Sequence, residues 1–202
     1  HLFHEWKPEI FIDTHTSNGA DYQANFSLIS TFPEKLDPMQ AKFLEMEFNP
    51  FLYRAMSELG DEMVPYVNAF ERAPDSGISA FTDLPRYSMG YAALFNCLSF
   101  TTEAHMLKPF DVRVQSTLNF LNVMSEFINS RYKILLDMKR VADQNTAHEK
   151  TFKYNWKTTS QADSIDFPGY RADTITAEVT GLPQLVYNRD EPFRKKIPYY
   201  NR

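Results

Sequence analysis

Residues Ile10 to Tyr22 read Ile-Phe-Ile-Asp-Thr-His-Thr-Ser-Asn-Gly-Ala-Asp-Tyr, three apolar residues that run straight into a polar cluster. An Ile/Phe run preceded by Pro8 has the composition of a strand covered on both faces, and Ser17-Asn18-Gly19 supplies the loop that ends it. Side chains two apart on a strand share a face, so Asp13 and His15 point the same way where the strand stops. In open α/β sheets, ligands sit at the carboxyl ends of the strands. The same pair reads equally as a hydrogen-bonded core histidine with Asp13 as its partner, and an isolated Asp-x-His favours that plainer reading.

A second candidate of the same kind lies far downstream. Leu98 to Thr102 reads as a strand that stops at Glu103-Ala104-His105, preceded by an apolar run, Tyr91 to Leu98, with the character of a buried helix. By residue type alone Glu103 reads equally as a salt-bridge partner of Lys108 or Arg113, and His105 as a surface residue. Pro109 and Asp111 then announce the longest helix. Its apolar positions Val114, Leu118, Leu121, Met124, Ile128, Leu135, Met138 and Ala142 step by three and four, which predicts a core-facing stripe.

Between these two places, Asn25 to Thr31 alternates as a second strand, and Asp37-Pro38 starts a helix with Asp as N-cap. That helix is expected to break at Pro50 and resume until Gly60. Met63 to Phe70 reads as a short edge segment and Glu71 to Arg86 as a loop long enough to be functional. From Phe152 the texture turns to Thr, Tyr, Val and Ile, with Gly169, Gly181 and Pro183 as punctuation and Thr174 to Val179 and Gln184 to Tyr187 as short strands. The division expected is an α/β unit over 1–148 and a short β-rich segment over 149–202.

Composition excludes several classes of function. With 202 residues and 43% hydrophobic content the chain can bury a real core, and a net charge of -5 without a basic block argues against nucleic acid. No apolar run approaches the roughly 18 residues of a membrane helix, so no membrane span is expected. The single cysteine, Cys97, rules out a disulfide framework and a Cys-based zinc cluster. A chain that opens on His1 and comes almost at once to a core strand reads as a piece of a longer one.

The segment Phe11-Ile12-Asp13-Thr14-His15-Thr16-Ser17-Asn18-Gly19-Ala20-Asp21-Tyr22, followed by Phe100-Thr101-Thr102-Glu103-Ala104-His105-Met106-Leu107-Lys108-Pro109-Phe110 and Arg113-Val114, resembles the zinc carboxypeptidase family of metallopeptidases. More narrowly it resembles a bacterial branch in which a β-rich region follows the peptidase, and the similarity covers roughly residues 1 to 145. The resemblance implies a mixed-sheet α/β fold, peptide substrates, zinc as cofactor, and a periplasmic or secreted protein. It makes His15 the third zinc ligand and Glu103 the general base and acid, and puts Asp13 and His105 around them. It also puts Arg86 and Tyr87 where such enzymes contact substrate, with Asn18, Asp21 and Tyr22 lining the same strand end; an arginine facing water explains Arg86 equally well.

The family's first two ligands come from a His-x-x-Glu motif far upstream, which this chain lacks, as it lacks the Asn-Arg pair that binds a terminal carboxylate. The chain is therefore expected to be the second half of a catalytic domain, with the missing N-terminal half as its partner. Alone it should bind zinc weakly or not at all, and should self-associate or keep contact with that half. Two alternatives remain open: a deacylase of small N-acyl substrates, and a non-catalytic module that holds peptide or glycan on a peptidase-like fold.

Overall fold

The computed structural model describes residues 1–17, 19–68, 72–153 and 155–201. After a one-turn helix α1 (Leu2–Trp6), strand β1 (Ile10–Ser17) and strand β2 (Phe26–Ser30) lead to helices α2 (Pro38–Phe43) and α3 (Asn49–Glu58). Strands β3 (Met63–Pro65) and β4 (Ile78–Ser79), helix α4 (Ser88–Ala93), strand β5 (Leu98–His105) and helix α5 (Phe110–His148) follow, and strands β6 (Asp163–Thr176) and β7 (Pro183–Tyr200) form a long hairpin. The chain is an α/β protein with a mixed sheet in the order β1-β5-β2-β3. Strands β1 and β5 run parallel, β2 is antiparallel to β5, and β3 is parallel to β2.

Strand β5 organises this sheet, and its alternation explains why. Leu98, Phe100 and Ala104 point to one face and join Phe26, Leu28, Phe48, Phe120 and Phe127 in the larger core under α3 and α5. Ser99, Thr101, Glu103 and His105 point to the other face, and all eight residues are buried. The strand runs three residues further than its composition suggests, so Glu103 is held on a sheet and not on the loop after it.

Other elements depart from the sequence expectations for physical reasons. Strand β1 is an edge strand, not one covered on both sides: among the described residues only β5 pairs with it, and none of its residues from Ile10 to Thr16 is fully buried. The Asp37 N-cap forms as expected, its carboxylate accepting the Met39 N–H at 2.9 Å. Pro50 does not break the helix, because a π turn over Leu44–Phe48 joins α2 to α3 and shifts the hydrogen-bond register where proline has no N–H to give. On α5 the buried line runs Ser116, Phe120, Val123, Met124, Phe127, Leu135, Met138 and Ala142. Val114, Leu118 and Leu121, counted into that stripe by periodicity, lie outside it at 50%, 49% and 37% exposure.

The apolar run after Tyr87 gives only the short α4 and a turn, where Asn96 takes a left-handed φ of 53° before β5 begins. Gly90 inside α4 touches the preceding loop: a Cβ there would sit 2.3 Å from the Leu84 carbonyl oxygen, so only glycine lets the helix lie against it. In the expected edge segment Met63 to Phe70 only β3 is a strand, and Ala69 and Phe70 lie outside the described residues, as does Glu71 at the start of the loop that follows.

The β-rich segment is a hairpin of two long strands, not a series of short ones. Gly169 is not a stop but a mid-strand residue, facing Phe193 so closely that a Cβ would be 2.4 Å from that ring. Strand β7 also pairs with β4, giving a second sheet in the order β4-β7-β6, and Tyr22 bridges to Gly169. Phe167 and Ile197 share a second core with Ala20, Tyr22, Val64, Val67 and Ile78. Among the described residues no helix is long and apolar enough to cross a membrane.

Candidate functional site

The parallel register of β1 and β5 pairs His15 with Glu103 and Asp13 with Thr101, on the sheet face turned away from α5. The two polar strand ends read separately in the sequence are thus one place. His15 Nε2 lies 3.0 Å from Asp13 Oδ1, and its Nδ1 lies 3.7 Å from Glu103 Oε1. Asp13 thus faces one ring nitrogen of His15 and Glu103 the other. Ser88, at the start of α4, donates its hydroxyl to the other oxygen of Asp13.

Glu103 is 7% exposed. Burial raises its carboxyl pKa above the ordinary value; the nearby His15 pulls it down and Asp13 pushes it up. Neither Lys108 nor Arg113 pairs with it: the Lys108 ammonium donates to the Gln23 carbonyl, and the Arg113 guanidinium to the Lys108 carbonyl. A carboxyl whose pKa burial raises, beside an imidazole, holds a proton more readily than an exposed one.

A cavity of about 380 Å³ opens over this pair. Arg86 and Tyr87 line it with His15 and Glu103, the Arg86 guanidinium stacked 4.7 Å over the Tyr87 ring. Ile29, Tyr66 and Phe81 form its far wall. Burial is the main cause that raises the Tyr66 phenol, with Glu103 and Tyr22 adding to it. Asp83, behind the loop, is buried against Lys35 Nζ at 2.6 Å, which fixes the base of the segment carrying Arg86 and Tyr87.

Not every residue expected here arrives here. His105 is 1% exposed and belongs to a different cluster: its Nε2 is 3.0 Å from Asp21 Oδ1, its ring stacks on Tyr22 at 4.2 Å, and Asp21 also takes the Arg189 guanidinium at 2.7 Å. Asp21 and Tyr22 are therefore part of that cluster, not of the cavity lining. Asn18 lies outside the described residues. Ser88, Tyr66, Phe81 and Ile29 were missed in the sequence. Ser88 follows Tyr87 directly, and Ile29 shares the strand face of Ser27, a parity signal that the alternation of β2 already carried.

His15 carries a solvent-accessible imidazole, and among the described residues no three His, Cys, Asp or Glu side chains converge as a group able to hold an ion. Comparison with known proteins finds no family model that matches the chain, no matching curated protein and no matching solved structure.

Proposed function

We propose that this chain supplies half of a hydrolase site of the zinc carboxypeptidase type, on the corresponding fold, in a protein whose remaining zinc ligands come from residues outside it. His15 is one ligand, oriented by Asp13. Glu103 takes a proton from the attacking water and later hands it to the departing amine. Arg86 and Tyr87 hold the peptide across the cavity mouth, and an exported protein suits that activity.

The observation that supports this reading best is the pairing of a half-exposed imidazole with a buried carboxyl at 3.7 Å on adjacent parallel strands. The two groups are near enough to act on one water, and too far apart to spend their polar atoms on each other. Burial keeps Glu103 inclined to hold a proton, which suits the step in which it must deliver one.

The test is made in the full-length protein, with zinc content and hydrolysis of N-acylated peptides measured together. Glu103→Gln is expected to keep the metal and lose turnover, and His15→Ala to lose both. Turnover in Glu103→Gln close to that of the unaltered protein removes the assignment, and peptide binding without turnover in either protein favours a peptide-holding module.

A further inference from the structure

Three strands set His15, Glu103 and Ser27 in one row across the sheet, because β1 pairs His15 with Glu103 and β2 pairs Ser27 with Glu103. Ser27 therefore flanks Glu103 on the side opposite His15. Side chains directly opposite across an antiparallel pair share a face and lie roughly 5 Å apart at Cβ. The next row holds Ser17 opposite His105, and the Tyr22 ring lies on His105 with 4.2 Å between centroids and 12° between planes.

The Tyr22 phenol meets both rows. Burial raises its pKa, the Ser27 and Ser17 hydroxyls beside it lower it, and Glu103 and Asp21 raise it again. A phenol reached by a serine of each row lies between them, and Tyr22 is not part of the cavity lining, so it comes up to Glu103 from behind. Its place is fixed by the second core: Tyr22 is 1% exposed, packs with Phe167 and bridges to Gly169 through its backbone.

Four polar groups meet here unpaired. Ser17 Oγ, Ser27 Oγ and Tyr22 Oη are buried, and none has a hydrogen-bond partner among the described residues. The Glu103 carboxyl accepts no hydrogen bond among them either, since His15 Nδ1 at 3.7 Å is beyond reach of one. Buried polar groups left unpaired are costly, a hydroxyl rotates to suit its partner, and an ionised carboxylate has room for several donors. The leftover donors and the leftover acceptor fit each other: the serines donate to the Tyr22 oxygen, and Tyr22 donates to Glu103.

We propose that Tyr22 is a positioning residue for Glu103, its phenol donating to the inward oxygen of that carboxylate and kept in line by the Ser17 and Ser27 hydroxyls. With one oxygen held from behind, the other is aimed into the cavity beside His15, as a group that carries a proton requires. That purpose rests on the hydrolase reading above; the contact itself does not.

The experiment uses the full-length protein and has two arms. By NMR, the Tyr22 hydroxyl proton should exchange slowly, show a cross-relaxation peak to the Glu103 side chain, and move upfield in Glu103→Gln, where a neutral acceptor replaces a charged one. It should also move in Ser27→Ala. In kinetics, Tyr22→Phe should lower kcat by roughly ten- to a hundred-fold with KM and zinc content unchanged, the scale of one hydrogen bond to a charged group. In the Glu103→Gln background the same change should lower kcat by no more than about two-fold, because a residue that acts through Glu103 has nothing left to act on. Equal losses in both backgrounds, or a hydroxyl proton with no peak to Glu103 and no response to Glu103→Gln, would overturn the proposal. Turnover unchanged in Glu103→Gln removes the hydrolase reading and with it the positioning role, while the hydroxyl signal still decides the contact, so the two failures are told apart.

Discussion

Among the described residues two Asp–His pairs have the same separation, 3.0 Å between Nε2 and Oδ1, at Asp13–His15 and at Asp21–His105. Their surroundings differ completely. The first has side-chain exposures of 28% and 50% and opens on a cavity; the second has 5% and 1% and is sealed under the β6–β7 hairpin. Burial makes the second pair a structural tie: Asp21 holds β5 through His105 and the hairpin through Arg189 at once. Exposure at an edge strand leaves the first pair free to meet a ligand. The distances match, but only the sealed pair is aligned as a hydrogen bond, so burial and alignment together set the two pairs apart.

The comparison breaks most visibly in catalysis. On the hydrolase reading proposed above, Glu103→Gln should lower kcat by roughly a hundred- to ten-thousand-fold with any bound zinc retained, the range for a group that moves a proton in the transition state. The matching change at the sealed pair, His105→Gln, should leave kcat within a few-fold wherever the protein is folded. A comparable loss of kcat in both variants erases the distinction.

Stability should show the reverse order. Asp21→Ala leaves His105 without its carboxylate partner in the core and Arg189 with only the Leu107 carbonyl, a loss of about 3 kcal/mol in urea unfolding. Asp13→Ala, at a partly exposed pair, should cost less than about 1 kcal/mol. Similar costs for the two would mean that the hairpin contact is not what makes Asp21 matter.

The pH dependence sharpens the same contrast. Burial lowers the His105 pKa below its ordinary value of 6.5, against the pull of Asp21. The unfolded chain then binds more protons than the folded one between the two pKa values, so stability falls as pH drops below about 6.5, by at most about 1.4 kcal/mol per pH unit. Thermal unfolding followed across that window in the parent chain and in His105→Gln isolates this contribution. An unchanged slope in the variant assigns the pH effect to another group. Glu103 acts with the opposite sign: its raised pKa means that the folded state holds its proton longer, and stability is lost as pH rises from the unfolded value through the folded one.

The smallest effect belongs to Ser88. Removing its hydroxyl in Ser88→Ala deletes one hydrogen bond to a partly exposed carboxylate, so a few-fold drop in kcat and roughly 0.5 kcal/mol of stability are expected. A drop as large as that of Glu103→Gln would give Ser88 a direct part in the chemistry.

What the sequence determined by itself is local: the apolar start of β1, the start of β5 at Leu98, the Asp37 cap, and the polar residues Asp13, His15 and Glu103 where the strands end. Each of these is written within a few neighbouring residues, because strand period and capping depend on nearest neighbours along the chain. The tertiary structure alone decided which Asp–His pair was sealed and which left open, and which face of α5 was core. Sequence spacing gives a helix its stripe but not what packs on it, and Val114, Leu118 and Leu121 met no cover while Phe120 and Phe127 did. The partners that settle the two pairs come from far along the chain, Ser88 lying 75 residues from Asp13 and Arg189 lying 168 from Asp21. Contacts at that separation exist only once the sheets have formed, since it is the shared burial of the strands that brings their side chains within hydrogen-bond reach.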